Sequence, residues 1–313
     1  MIPWKLPQKL AHASAPPLKS QGIKTKLLPL IAQSIRWNPG GDGRWVEPFL
    51  GTGAVVLNLA PPRALLCDLN PHTIRLLQDI QDGALSAASA REYLQDEGAV
   101  LSREGESHYY KIRDRFNLSP NSHDFLFLNR TSFNGIVRFN KKGFFNTPFC
   151  HKPERFDASF LTRVANQINW AARQMHGKDW QFACQDWRET YSAVREDDFV
   201  YLDPPYIGRN ADYFSQWSDS DAVELAQRTQ QLPCGYALSM WIKNSYRTNT
   251  HVDEMWPDHT VRLASHFYHV GSTESLRNEM IEGVLCKPGF GIESDEIFAT
   301  KRRYREEQSS LFG

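Results

Sequence analysis

The sequence predicts an α/β protein, an open doubly wound sheet with a mainly helical insert. Three observations carry this. Short apolar runs alternate with helical periodicity along the first 85 residues, the order of a parallel sheet. A second strand-like run, Asp198 to Leu202, stops at Asp203-Pro204-Pro205-Tyr206, where two prolines cannot extend a ladder. About 150 residues separate the glycine turn at Gly51–Gly53 from that stop, more than a crossover needs.

Residues 1–17 carry four prolines and no periodicity, so they read as an irregular arm. Leu27, Leu28, Leu30, Ile31 and Ile35 give Lys24 to Ile35 a helical pattern, with Pro29 in its first turn. Trp45 to Phe49 is a strand, Ala54 to Leu59 begins a helix, Ala64 to Cys67 is a strand, and Thr73 to Gln81 is a helix. From 86 to 173 the sheet pattern pauses in helical stretches around an aromatic, basic, Asn-rich centre. Strand signals resume at Trp180–Cys184, Phe199–Leu202 and Tyr236–Met240. The expected division is 1–17 as arm, 18–85 with 174–300 as the sheet domain, 86–173 as the insert and 301–313 as a tail.

Lys+Arg and Asp+Glu both number 36, so the chain is no general polycation, although Arg138, Lys141, Lys142, His151, Lys152 and Arg155 crowd one segment. Cys67, Cys150, Cys184, Cys234 and Cys286 are scattered without C-x-x-C, as in a reduced, cytoplasmic protein. No His or Cys spacing suits a metal, and no apolar run reaches spanning length; neither a metal nor a membrane is expected.

Ligands of such sheets bind beyond the carboxyl ends of the strands. There Asp203 and the Pro204 carbonyl offer acceptors and Tyr206 a flat face, a set that suits a planar group with an exocyclic amine, such as adenine N6. Phe49-Leu50-Gly51-Thr52-Gly53 joins a strand to a helix, and its glycines permit close approach of backbone to ligand. Val56 stands where a dinucleotide loop has its third glycine. Asp68 ends the next strand, where a carboxylate can take both ribose hydroxyls or cap the following helix. Asp186, ending another strand, is an acceptor for an adenine amine or an exposed loop acid. Between Phe127 and Phe149, aromatics alternate with amides and cations around glycine turns, a β-hairpin composition in residue types that read base edges.

D-P-P-Y is similar to the catalytic motif of the amino-group DNA methyltransferases. The remaining pieces resemble the DNA adenine methylase (Dam-like, D12 class) family, the α group of N6-adenine enzymes, from about Leu18 to about Gly289. Phe49-Leu50-Gly51-Thr52-Gly53 is similar to the family's F-x-G-x-G loop. Leu18-Lys19-Ser20-Gln21-Gly22-Ile23-Lys24 resembles its L-K-W-x-G-G-K motif, with Ser20 in place of tryptophan and Ile23 in place of glycine. Asn129 to Pro148 resembles N-R-x-x-x-N-G-x-x-R-x-N-x-x-G-x-F-N-x-P over its length; Cys150 follows where the family has glycine. The resemblance implies a Rossmann-like class I methyltransferase fold with a mixed sheet, and an inserted target-recognition domain that carries the hairpin. It implies transfer from S-adenosylmethionine to adenine N6 in a GATC-like duplex site, with base flipping. Asp203, Pro204 and Tyr206 would be catalytic; Ser20, Lys24, Phe49, Gly51, Gly53, Asp68, Asp186 and Asp203 would hold the cofactor, Lys24 through its carboxylate. Lys19, Phe133, Asn134, Arg138, Asn140 and Pro148 would meet DNA, Phe133 by intercalation and Asn134 at the orphaned base. An RNA methyltransferase and a non-catalytic DNA-binding regulator are the rival readings. Gln308-x-x-Leu311-Phe312 resembles the peptide that docks bacterial proteins on the β sliding clamp.

Overall fold

The computed structural model describes residues 4–10, 12–20, 22–39, 41–205, 217–244, 248–267, 279–292 and 298–299. Tyr206 and the Gln308–Phe312 peptide lie outside the described residues. The elements in chain order are α1 (Leu28–Ser34), β1 (Trp45–Glu47), α2 (Ala54–Leu59), β2 (Arg63–Asp68), α3 (Pro71–Gln81), α4 (Ala87–Glu104), α5 (Glu106–Leu118), α6 (Ser122–Thr131), α7 (Ala158–Met175) and β3 (Asp179–Cys184). Then come α8 (Trp187–Ser192), β4 (Phe199–Leu202), α9 (Asp219–Gln230), β5 (Gly235–Asn244), α10 (His251–Met255), β6 (Thr260–Phe267), β7 (Glu279–Cys286) and β8 (Phe298–Ala299). The expected first helix divides: Lys24–Lys26 forms a 3-10 turn, and α1 follows with Pro29 in its first turn.

One mixed sheet runs β3-β2-β1-β4-β5-β7-β6-β8. The central strands β3, β2, β1, β4 and β5 are parallel, and β7 joins β5 antiparallel. Both faces of the central strands are covered. Trp45, Ala64, Leu66, Phe199, Tyr201 and Ala237 point into one core. Val46, Leu65, Val200, Leu202, Tyr236 and Leu238 point into the other. That explains the near-continuous apolar runs. The Trp45 indole stacks on Phe199 and Tyr201 across the β1–β4 seam, with centroids 5.4 and 5.8 Å away.

Helices α4 to α7 form the insert, and the first core continues unbroken from Trp45 and Leu66 to Leu94, Leu101, Phe125 and Ile168. Asp124, 1% exposed, ties the insert together: the Arg115 guanidinium meets it at 2.5 Å and Glu97 at 3.0 Å. The expected hairpin after α6 is reduced to two isolated bridges, Ser132 to Phe149 and Phe139 to Phe145. Side chains take over where a ladder would run. Asn140 Oδ1 accepts the Lys142 and Phe144 N–H groups, and Thr147 Oγ1 accepts that of Arg138.

Candidate active site

The strand order reverses between β1 and β4, so a crevice opens at their carboxyl ends. The glycine loop forms one wall. Gly51 (φ 52°) and Gly53 (φ 70°) occupy the left-handed region, and a Cβ on Gly51 would meet nothing within 4 Å, leaving open space above the loop. The loop is pinned from β2. The Leu50 N–H donates to the Cys67 carbonyl at 2.8 Å, and the Gly51 N–H donates to Asp68 Oδ2 at 2.8 Å. Asp68 Oδ1 accepts the Asn70 N–H, and Asn70 rather than Asp68 caps α3. Burial pushes the Asp68 carboxyl above its ordinary range, against the pull of these N–H groups.

The other wall is Asp203, at the end of β4. Its Oδ1 receives two donors, the Lys24 ammonium at 2.8 Å and the Ser239 hydroxyl at 3.0 Å. The Tyr201 hydroxyl donates to Ser239 at 3.0 Å, so a buried chain runs Tyr201–Ser239–Asp203. Among the described residues, none donates to Asp203 Oδ2. Burial opposes both charges of the ion pair. For Lys24, Asp203 and the buried Glu282 outweigh it, and the ammonium is held above the ordinary lysine value. For Asp203, burial prevails and the carboxyl is raised. Besides Asp203, the Lys24 ammonium donates to the Gly22 carbonyl at 3.0 Å.

The other predicted cofactor residues have contacts of their own. Phe49 meets the Trp217 ring edge-on at 5.7 Å, and Ser20 is exposed. Asp186 does a job that the sequence reading did not assign: it caps α8 by accepting the Arg188 N–H at 2.8 Å, and pairs with that guanidinium at 3.3 Å.

The base-reading candidates gather on one rim. Phe133 is 50% exposed, and Asn134 holds a left-handed turn at φ 53°. Phe144 stands out nearby in sequence at 45% exposed, a residue the sequence reading did not single out. Pro148 is exposed, and its carbonyl accepts the Phe133 N–H at 2.9 Å. Arg138 is aimed by Asn146, whose Oδ1 takes its Nε at 2.9 Å. Asn140 uses its carbonyl oxygen inside the turn. Lys19 is held by a reciprocal pair of bonds between its backbone and the Asn129 amide, at 2.9 and 2.8 Å.

Sequence reasoning also missed Glu47, Ser239 and Glu282, which are 2%, 0% and 2% exposed. The available signal was a polar residue inside a run whose neighbours face both cores. Glu47 accepts the Trp45 indole N–H at 2.7 Å, yet burial pushes its carboxyl up to about 8. Among the described residues no group of His, Cys, Asp and Glu could hold a metal ion, and no helix is long and apolar enough to cross a membrane.

Comparison with known proteins adds independent findings. The family described as D12 class N6 adenine-specific DNA methyltransferase matches residues 20–274. A protein of Methanocaldococcus jannaschii named Type II methyltransferase M.MjaIII is 29% identical over 256 residues, 75% of this chain and 85% of the relative. DNA adenine methylase of Vibrio cholerae is 31% identical over 218 residues, 66% of this chain and 73% of the relative. DNA adenine methylase of Escherichia coli is 27% identical over 277 residues, 83% of this chain and 92% of the relative.

The buried Glu47 carboxyl predicts a pH dependence. Between its ordinary value of 4.5 and about 8, the folded protein keeps a proton that the unfolded chain releases. Its contribution is therefore complete below the lower value and lost as pH rises through the upper one. Glu47→Gln keeps an acceptor for Trp45 and removes the titration. Its melting temperature should fall less than the wild type's between mildly acidic and mildly alkaline buffer. Parallel curves would show that Glu47 is ionised in the folded protein throughout.

Proposed function

Because the chain belongs to the D12 class N6 adenine-specific DNA methyltransferase family, we propose that it moves a methyl group from S-adenosylmethionine to adenine N6 in duplex DNA. The observation that carries this reading is Asp203, whose Oδ1 is taken by Lys24 and Ser239 while Oδ2 has no donor among the described residues. A GATC-like target is the proposed sequence, on the likeness of Asn129 to Pro148 to the family's recognition motif and on relatives named DNA adenine methylase.

The glycine wall fits the donor. Open space above Gly51 admits a ligand against the backbone, and Asp68 retains acceptor capacity beyond its two N–H bonds for a ribose. Ser20, Lys24, Phe49, Gly51, Gly53, Asp68, Asp186 and Asp203 would hold it. When bound, the donor supplies an electrophilic methyl group on a sulfonium.

An adenine stacked in a duplex cannot reach this crevice, so the base is flipped. Asp203 and the Pro204 carbonyl then accept the two N6 hydrogens, and Tyr206 stacks on the ring. Acceptors on both hydrogens draw the N6 lone pair out of conjugation and aim it at the methyl. One C–N bond forms as the C–S bond breaks, and N6 afterwards releases a proton. Lys24 and Ser239 keep the Asp203 carboxylate fixed, so the gain lies in positioning and oriented acceptors. Phe133 fills the gap in the stack, Asn134 meets the orphaned base, and Arg138, Asn140, Pro148 and Lys19 read the site. The terminal Gln308-x-x-Leu311-Phe312 pattern supports, on sequence alone, docking on the β sliding clamp.

Three outcomes follow. Asp203→Ala should lower methylation of duplex DNA at least about 100-fold while cofactor affinity is largely kept; methylation near the wild-type rate, or wild-type activity on RNA instead of DNA, would remove this assignment. Arg138→Ala should reduce discrimination between target and altered target by about 1–3 kcal/mol; an equal loss of affinity on every sequence would make it a phosphate contact. A Leu311→Ala/Phe312→Ala double variant should lose binding to purified clamp, and equal binding by both proteins, or none by either, would dismiss the docking peptide.

A further inference from the structure

Beside the base-reading rim lies a group of cations that the reaction does not use. Arg130 at the end of α6, Arg155 in the loop before α7, and Arg163 on α7 surround one ring, that of Phe160. Their guanidinium carbons stand 6.0, 5.1 and 5.9 Å from its centroid. Lys19, already placed among the site-reading residues, borders the group: burial first, then all three arginines, lower its pKa. Lys19 also abuts the presented turn, since a Cβ on Gly135 would lie 2.9 Å from its own Cβ.

Among the described residues, none of the four makes an ion pair with a carboxylate. Asp157, the acid at the start of α7, accepts the Phe160 N–H at 2.7 Å and the Ser159 hydroxyl at 2.8 Å on Oδ1; these bonds, with Arg163 as a lesser influence, hold its carboxyl below the ordinary range without an ion pair. Arg130 is 2% exposed; one terminal nitrogen donates to the Pro17 carbonyl and to Gln167 Oε1, and its Nε is buried with no partner. The Arg155 Nε is likewise buried and unpartnered. Three guanidinium groups held around one aromatic floor repel one another, and an anion beside the accessible pair, Arg155 and Arg163, relieves that repulsion.

We propose that Arg155 and Arg163, backed by the buried Arg130, form a seat for backbone phosphates of the DNA duplex beside the target site. The inference rests on the reading of the chain as a DNA methyltransferase and adds a binding surface to it. The seat continues from the turn that carries Phe133 and Asn134, so a duplex engaged by that turn lays its adjoining backbone across Phe160. Phosphate contacts position the duplex and carry no sequence information, which separates their effect from that of Arg138.

The test is DNA binding against salt, with the full chain and two duplexes, one containing the methylated sequence and one lacking it. Arg163→Gln alters an exposed residue, and Arg155→Gln/Arg163→Gln removes two cations; unchanged melting and cofactor affinity verify the fold. Each lost phosphate contact should lower the slope of log affinity against log salt by about 0.9, and weaken binding at moderate salt by about tenfold. The loss should be equal on both duplexes. Wild-type slope and affinity in the double variant, or a loss confined to the specific duplex, would overturn the seat while the methylation reading stands. A wild-type protein that binds and methylates no duplex DNA would overturn both.

Discussion

The Lys24–Asp203 ion pair constrains the rest of the structure. An ammonium 6% exposed and a half-buried carboxylate, 2.8 Å apart, cannot be separated without leaving an uncompensated charge in a low-dielectric site. The pair spans distant parts of the chain. Lys24 sits in the turn before α1, Asp203 at the end of β4, and Ser239 on β5 shares the same carboxylate oxygen. Three segments must therefore arrive together before the acid has a defined orientation.

The sheet brings them there. Parallel pairing of β1, β4 and β5 aligns their carboxyl ends, and the Trp45 stack across Phe199 and Tyr201 holds the strands in register one layer below the site. The same register places the Tyr201 hydroxyl beneath Ser239. The glycine wall is set separately, through Asp68 and the Cys67 carbonyl on β2. The acids Asp68 and Asp203 thus stand at strand ends on the two walls of one crevice.

The insert contributes a different kind of order. It shares the first core with the sheet, so its rim is carried rigidly relative to Asp203. It carries the exposed aromatics Phe133 and Phe144, an arginine aimed by Asn146, and the exposed Arg163 beside Phe160. A protein with a net charge of zero can present a basic face when its acids lie elsewhere, as in the Arg188 cluster with Asp186, Asp221 and Glu224.

Strands β1 to β5, helices α2 and α3, the glycine loop and Asp203 were legible in the sequence, because elements buried on both faces leave uninterrupted apolar runs and prolines end them, whereas α8 and α9 were not. Strands β6 and β7 were not: each carries a buried charge, Arg262 and Glu282, and Arg262 donates to the distant Gln33 carbonyl at 2.9 Å. The composition between Phe127 and Phe149 led to the expectation of a hairpin, but only two isolated bridges form, and side chains of Asn140 and Thr147 stand where its ladder would run. Residue identity and spacing determined which groups could act: an acid beside two prolines, glycines after a strand, aromatics among amides and cations. Tertiary structure alone decided what each group faces. It put Lys24 on Asp203, Asp186 on a helix end and three arginines around Phe160, because such contacts join residues far apart in sequence and no local pattern encodes them.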